Sequence, residues 1–103
     1  MDVITDELIP KEFRLDQNYP NPFNPTTTIQ FAVPVKAEVT LKLFDLLGRE
    51  VDILVEEEYK PGVYRVLFEA KDLPSAVYFY RIKAESKSGE KSFIRTRKLT
   101  LLK

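Results

Sequence analysis

The sequence contains no cysteine, no histidine and no tryptophan. Without cysteine the chain has no thiol nucleophile, and no disulfide can report on its redox compartment. Without histidine it lacks the usual general base and, because cysteine is missing too, most zinc and copper ligand sets. Serine and threonine are present but have no histidine to activate them. We therefore predict no catalytic, cofactor-binding or metal-binding residues.

Long apolar runs and glycine-rich loops are also missing. No stretch approaches the ~20 apolar residues of a membrane-spanning helix, so no transmembrane segment is predicted. The three glycines, Gly48, Gly62 and Gly89, fall in separate turns rather than in one phosphate-binding loop. Residues 1–8 are acidic and lack the apolar centre of a secretory signal peptide, so we expect any export signal to lie upstream.

What the chain contains is typical of one small globular domain. It has 103 residues, of which 31% are charged and 44% are apolar. Residues 1–11 are predicted to be a linker, and residues 12–103 to be the domain. The net charge is zero, but residues 1–60 carry 12 acidic and six basic groups, whereas residues 61–103 carry four acidic and ten basic groups. Either one sheet edge is acidic and another basic, or paired strands place opposite charges side by side, which is the reading we prefer.

Seven segments show the alternation of apolar and polar residues that is typical of strands, separated by turns at spacings of roughly 8–12 residues. They are Glu12–Asp16, Thr26–Val33, Ala37–Asp45, Glu50–Val55, a run around Tyr64 to Phe68, Ala76–Glu85, and about Lys91 to Leu102. This pattern predicts an all-β, immunoglobulin-like antiparallel β-sandwich, with a small antiparallel barrel as the alternative. Ala76–Glu85 is apolar on both faces, which predicts a central strand. Glu56–Glu58 is interpreted as a solvated charge run, and Pro61-Gly62 as a type II turn.

The most distinctive stretch, Gln17–Pro25, is named the Pro/Asn segment here. Its three prolines each fix φ and bias the preceding residue toward extended backbone. Its asparagines are suited to closing local turns. We expect a stiff, kinked segment in which Tyr19 and Phe23 act as apolar plugs.

Other chemistry has weak support in the sequence. Asp45, Asp52 and Glu56–Glu58 are candidate carboxylates for glycoside hydrolysis or calcium only by residue type, without a supporting spacing. Two clusters of basic residues, the first with aromatics, could mark a glycan or nucleic-acid site. The first cluster is Tyr78, Phe79, Tyr80, Arg81 and Lys83, and the second is Arg95, Arg97 and Lys98. Aromatics at period 2 are more often core, and a pI of about 6.3 argues against nucleic acid.

Five blocks of the chain together resemble a known family. They are Ile9–Pro25, Val39–Val51, Pro61–Tyr64, Val77–Ile82 and Arg97–Lys103. The chain looks like a C-terminal sorting domain (type A) of the bacterial type IX secretion system, related in fold to the immunoglobulin-like module of flagellar hook-capping proteins. Ala76 stands where the family commonly has glycine before the Val-Tyr pair, which predicts a negative φ or mild strain there.

The resemblance implies a secretion address rather than an enzyme. A cargo protein would precede the domain, cross the periplasm and reach the surface or medium of a Gram-negative-type bacterium. The implied partners are the outer-membrane type IX machinery and a sortase-like peptidase that cuts in or before residues 1–14. We expect a monomer with no cofactor. The sorting-motif candidates are Pro20, Asn21, Pro22, Phe23, Asn24, Pro25, Gly48, Arg49, Gly62, Tyr64, Arg97, Lys98, Leu99, Leu101 and Lys103.

Two questions stay open at this point. The terminal residues Ile94–Lys103 could be an edge strand guarded by positive charge, or an exposed edge that a partner recognises by strand addition. The resemblance favours the second reading, with Lys98 and Lys103 on the recognised edge. The alternatives to a sorting role are a carbohydrate-binding module and a purely structural module of a secreted multidomain protein.

Overall fold

A computed structural model describes residues 9–103 as seven antiparallel strands in two sheets. The strands are β1 (Arg14–Leu15), β2 (Thr26–Val33), β3 (Ala37–Phe44), β4 (Glu50–Tyr59), β5 (Gly62–Glu69), β6 (Ala76–Ser86) and β7 (Ser92–Leu101). One sheet has the order β1-β2-β5 and the other the order β4-β3-β6-β7. The predicted seven-stranded sandwich is confirmed, and the barrel alternative is wrong because the strands form two separate sheets. Of the predicted linker, residues 1–8 lie outside the described residues, and residues 9–11 form no strand.

The core lies between the inner faces of the two sheets. Alternate residues of β2, β3 and β6 are buried, and the largest of them include Phe31, Leu41, Tyr80 and Ile82. Each such side chain contributes about 1.5–3 kcal/mol by leaving water. β6 lies between β3 and β7, so the predicted central position of this strand is confirmed.

The chain crosses between the sheets three times, from β2 to β3, from β4 to β5 and from β5 to β6, and a tyrosine braces each of the last two crossings. Tyr64 at the start of β5 donates to the carbonyl of Lys60 at 2.6 Å, and Tyr78 at the start of β6 donates to the carbonyl of Pro74 at 2.7 Å. A tyrosine that bonds a few residues back at a sheet-to-sheet corner is a hallmark of immunoglobulin-like sandwiches. The type II turn predicted at Pro61-Gly62 is wrong. Gly62 is the first residue of β5, with a near-extended φ of 158°.

Glu56–Glu58 is a solvated charge run as predicted, but the strand predicted to end at Val55 does not stop before it. β4 continues to Tyr59, and these glutamates pair in register with Glu38, Val39 and Thr40 of β3. They remain exposed because β4 is the edge strand of its sheet. Glu58 forms ion pairs with Lys36 at 3.1 Å and Lys87 at 3.3 Å.

The uneven charge of the sequence falls on opposite edges of the four-stranded sheet. β4 at one edge carries five acidic residues and no basic residue, whereas β7 at the other edge carries three basic residues and no acidic residue. For these two strands the alternative that we did not prefer, an acidic edge and a basic edge, is therefore the one that the structure shows. Opposite charges do pair inside the sheet, for example Lys42 with Glu50 at 3.0 Å.

Candidate functional site at the C-terminal edge

The Pro/Asn segment runs beside the outer edge of β7. Phe23 and Leu101 form a parallel bridge, in which the Phe23 N–H donates to the Thr100 carbonyl and the Leu102 N–H donates to the Phe23 carbonyl, both at 3.0 Å. The peptide bonds before Pro20, Pro22 and Pro25 are cis. Two parts of the sequence that were predicted separately as recognition features therefore form one continuous surface.

Side chains of the segment extend this pairing along β7. The Thr100 N–H donates to Asn21 Oδ1 at 2.9 Å, across 79 residues of sequence. Gln17 Nε2 donates to the Lys98 carbonyl at 2.7 Å. The prediction that the asparagines close local turns is thus wrong for Asn21, whose amide oxygen substitutes for a neighbouring strand.

The two aromatics of the segment have different roles. The Phe23 side chain is 2% exposed and its ring lies 6.0 Å from that of Phe68. Tyr19 is 80% exposed, and its backbone forms a bridge with Thr28. Phe23 is therefore an apolar plug as predicted, and the same prediction for Tyr19 is wrong.

Asn18 and Tyr80 organise the start of the segment, and neither was among the sorting-motif candidates. The buried Asn18 side chain donates to the Pro20 carbonyl at 3.1 Å and to Thr27 Oγ1 at 3.0 Å. The Tyr80 hydroxyl accepts from the Asn18 N–H at 2.8 Å and donates to the Asp16 carbonyl at 2.7 Å. Burial raises the pKa of Tyr80 to about 12, so the phenol stays neutral. Its hydroxyl therefore remains able to donate the hydrogen bond to the Asp16 carbonyl.

Buried residues alternate with more exposed ones at the end of the terminal strand, from Lys98 to Leu101. Leu99 and Leu101 are fully buried, whereas Lys98 is exposed on the outer face. Arg97 is half-buried and its Nε donates to the Leu15 carbonyl at 2.6 Å, which joins β7 to β1. The Lys103 N–H donates to Ser75 Oγ at 2.8 Å, and its Nζ donates to the Lys71 carbonyl.

The turn that contains Gly48 and Arg49 lies at the same end of the sandwich. Asp45 Oδ1 accepts the N–H groups of Arg49 and Leu47, and these bonds, above all the one from Arg49, hold the pKa of Asp45 below its usual value. Gly48 has a φ of 82°, a left-handed conformation that favours glycine. Between this turn and the start of β6 lies an open cavity of about 390 Å³, lined mainly by apolar side chains that include the exposed Leu46 and Leu47.

Gly62 and Tyr64 lie at the opposite end and do not join this surface. Gly62 pairs with Val33 at the far end of β2. The Tyr64 ring packs against Tyr59 at 4.5 Å and Phe31 at 5.7 Å between ring centroids. Both residues shape the crossing from β4 to β5, so their role here is in packing. Among the remaining predicted residues, Pro20, Asn24 and Pro22 are exposed, and the Pro25 carbonyl accepts the Ala70 N–H at 2.8 Å.

The alternative chemistries find little support in the geometry. Residues 9–103 bring together no group of three acidic side chains that could hold a metal ion. The same residues contain no helix with the length and hydrophobicity that a membrane crossing requires. Tyr78 and Tyr80 face the core, so the predicted aromatic cluster is not an exposed glycan platform. Arg81 instead lies over the Phe44 ring on the outer face of the sheet, at 4.9 Å from its centroid.

Comparison with solved structures finds a protein that shares the overall fold of this chain. CopC from Methylosinus trichosporium OB3b superposes with a TM-score of 0.52 and 16% identity, over 87% of this chain and 93% of that chain. PorZ is described as an essential bacterial surface component of the type IX secretion system of Porphyromonas gingivalis. It gives a TM-score of 0.47 and 20% identity, over 88% of this chain and 11% of PorZ. No curated protein matches the chain.

The class of protein is set by a family model. The model for the secretion system C-terminal sorting domain matches residues 17–96, which begin with the Pro/Asn segment and end within β7. The chain belongs to this family of type IX secretion sorting domains, as its sequence resemblance predicted. Residues 97–103 lie beyond the matched range.

Proposed function

We propose that this domain is a non-catalytic address that directs a cargo protein, attached at its N-terminus, through the type IX secretion system. Membership of the sorting-domain family is the observation that carries the proposal. The cargo would pass through the periplasm of a Gram-negative-type bacterium to the cell surface or medium. The domain acts as a monomer that the outer-membrane machinery binds, and a sortase-like peptidase removes it by cutting in or before residues 1–14.

The C-terminal edge supports this proposal because it is rigid and asymmetric. The Pro/Asn segment and β7 hold each other through backbone bonds and through the buried Phe23 side chain. Lys98 is exposed beside this junction, and Leu102 is 55% exposed just beyond it. A partner therefore meets a preorganised surface and loses little conformational entropy of the domain on binding.

Export of a fluorescent cargo tests the proposal. The cargo carries an N-terminal signal peptide and residues 1–103, and it is expressed in a host with type IX secretion. Deletion of all of Ile94–Lys103 would remove most of β7, so deletion of Leu102-Lys103 is the sharper variant because β7 ends at Leu101. Lys60→Ala is the matched control, since this exposed lysine lies at the other end of the sandwich.

We expect the wild-type domain and Lys60→Ala to bring cargo outside the cell, and the two-residue deletion to retain it in the periplasm. Circular dichroism of the purified domains shows whether the deletion stays folded. Retention of folded wild-type cargo in the periplasm would refute the sorting role and favour a purely structural module. Normal export of the deletion variant would instead place recognition outside the last two residues.

A further inference from the structure

The outer edge of β7 is divided into a covered half and an open half. From Lys98 to Leu102 the edge is covered by Gln17, Asn21 and Phe23. From Ser92 to Thr96 the backbone has, among residues 9–103, β6 as its only strand partner. The sequence-based expectation of an exposed terminal edge therefore holds for the first half of β7 and is wrong for the second.

The direction of the free backbone groups follows from the ladder. The N–H and C=O groups of Thr100 point away from β6, because they bond Asn21 and Phe23. The register between β6 and β7 runs from Ala76↔Leu101 to Glu85↔Ser92 without a bulge. Residues at even spacing share one direction in an antiparallel ladder, so the backbone groups of Ser92, Ile94 and Thr96 point outward as well.

The charges beside this open half favour one kind of occupant. Lys91, Arg95 and Lys98 are exposed, and none of them forms an ion pair within the described part of the chain. A strand added beside Ser92–Thr96 would place its side chains next to Arg95, where opposite charges stabilise and like charges destabilise. Ile94, which is 60% exposed, adds an apolar contact.

We propose that Ser92–Thr96 is a docking edge for an extended acidic segment of a protein of the export machinery, which adds as a fifth strand beside β7. This inference rests on the proposed sorting function and names the chemistry of the partner. Pairing β7 with β7 of a second copy is unfavourable because it brings the basic side chains together. Pairing with the acidic β4 of a second copy is the competing occupant.

A single N–H group provides the sharpest test. Thr96→Pro removes an outward N–H without removing a ladder bond to β6, and proline is tolerated on strand edges whose N–H faces outward. Thr96→Val changes the same side chain and keeps the N–H, so it is the matched control. Arg95→Glu tests the charge. The probe is a fluorescent eight-residue peptide of alternating glutamate and valine, and a lysine–valine peptide serves as its counterpart.

We expect the wild-type domain and Thr96→Val to bind the acidic peptide in low salt, measured by fluorescence anisotropy, and the lysine peptide not to bind. Thr96→Pro and Arg95→Glu should each weaken binding by about tenfold, which corresponds to about 1.4 kcal/mol. Amide exchange should slow at Ile94 and Thr96 when the peptide is added. Equal binding by Thr96→Pro, absence of binding to the wild type, or protection on β4 instead would each overturn the proposal.

Two further measurements separate this inference from the function on which it rests. Concentration-dependent dimers in sedimentation that Thr96→Pro abolishes would assign the edge to a second copy and overturn the proposed partner. In the export assay we expect Thr96→Pro cargo to be retained while Thr96→Val cargo is exported. Export of both would overturn the docking edge and leave the sorting function intact, whereas retention of the wild-type cargo would overturn the sorting function itself.

Discussion

Replacing Phe23 with alanine tests whether the Pro/Asn segment is held by its buried side chain. Phe23 is 2% exposed, contacts the ring of Phe68 and lies next to the bridge to Leu101. Truncation of a buried phenylalanine costs about 3–5 kcal/mol through lost transfer energy and the cavity left behind. The segment is held by few backbone bonds and can partly collapse into the space, so we expect about 3 kcal/mol, the low end of that range.

Urea unfolding measures this loss, with a lower midpoint at an unchanged slope as the signature of reduced stability. About 3 kcal/mol corresponds to a fall in Tm of roughly 12–24 °C for a domain of this size. Tyr19→Ala is the control within the same segment, because this exposed side chain should change stability by less than about 0.5 kcal/mol. If Phe23→Ala unfolds at the wild-type urea midpoint, or if both variants lose equal stability, the Phe23 side chain does not hold the segment in place.

Two further substitutions test the supports around this site. Tyr80→Phe removes the hydroxyl bonds to Asp16 and Asn18 and should cost about 1–3 kcal/mol at neutral pH. The neutral Tyr80 phenol contributes stability that is complete below pH 10.0, the ordinary pKa, and is lost as the pH rises to about 12, so Tyr80→Phe should flatten this alkaline decline in urea titrations. An unchanged decline would contradict the burial of Tyr80. Gly48→Ala should cost roughly 1–2 kcal/mol because its φ is 82° while no atom blocks a methyl group, and a wild-type Tm would contradict this conformation.

The strands with one buried face could be read from the sequence because their signal is local. In β2 and β3 the alternation of side chains is a property of neighbouring residues, and a strand with this pattern has one face to bury. The glycine turns at Gly48 and Gly89 are local for the same reason, and both residues have positive φ. The ordered family blocks added the class of protein, which no single strand pattern contains.

The C-terminal end of β4 could not be predicted from the sequence because the length of this strand depends on its pairing with β3. The Glu56–Glu58 run has no apolar face, and it forms a strand only because β3 offers a ladder partner while the other side is open to water. The hydrogen-bond partner of Asn21 also depends on a distant part of the chain. Asn21 is suited to a local turn, and its bond to Thr100 exists only once β7 has been placed beside it.

The sequence by itself therefore determined the sandwich, most of its strands and the family, and it singled out the Pro/Asn segment and the C-terminal strand as the candidate recognition features. Only the tertiary structure decided that these features lie side by side, that Phe23 is buried while Tyr19 is not, and that part of β7 keeps an open edge. The physical reason is the distance along the sequence over which each interaction acts. Alternation and turn chemistry act between near neighbours, whereas burial and edge exposure are set by contacts between residues up to 82 positions apart.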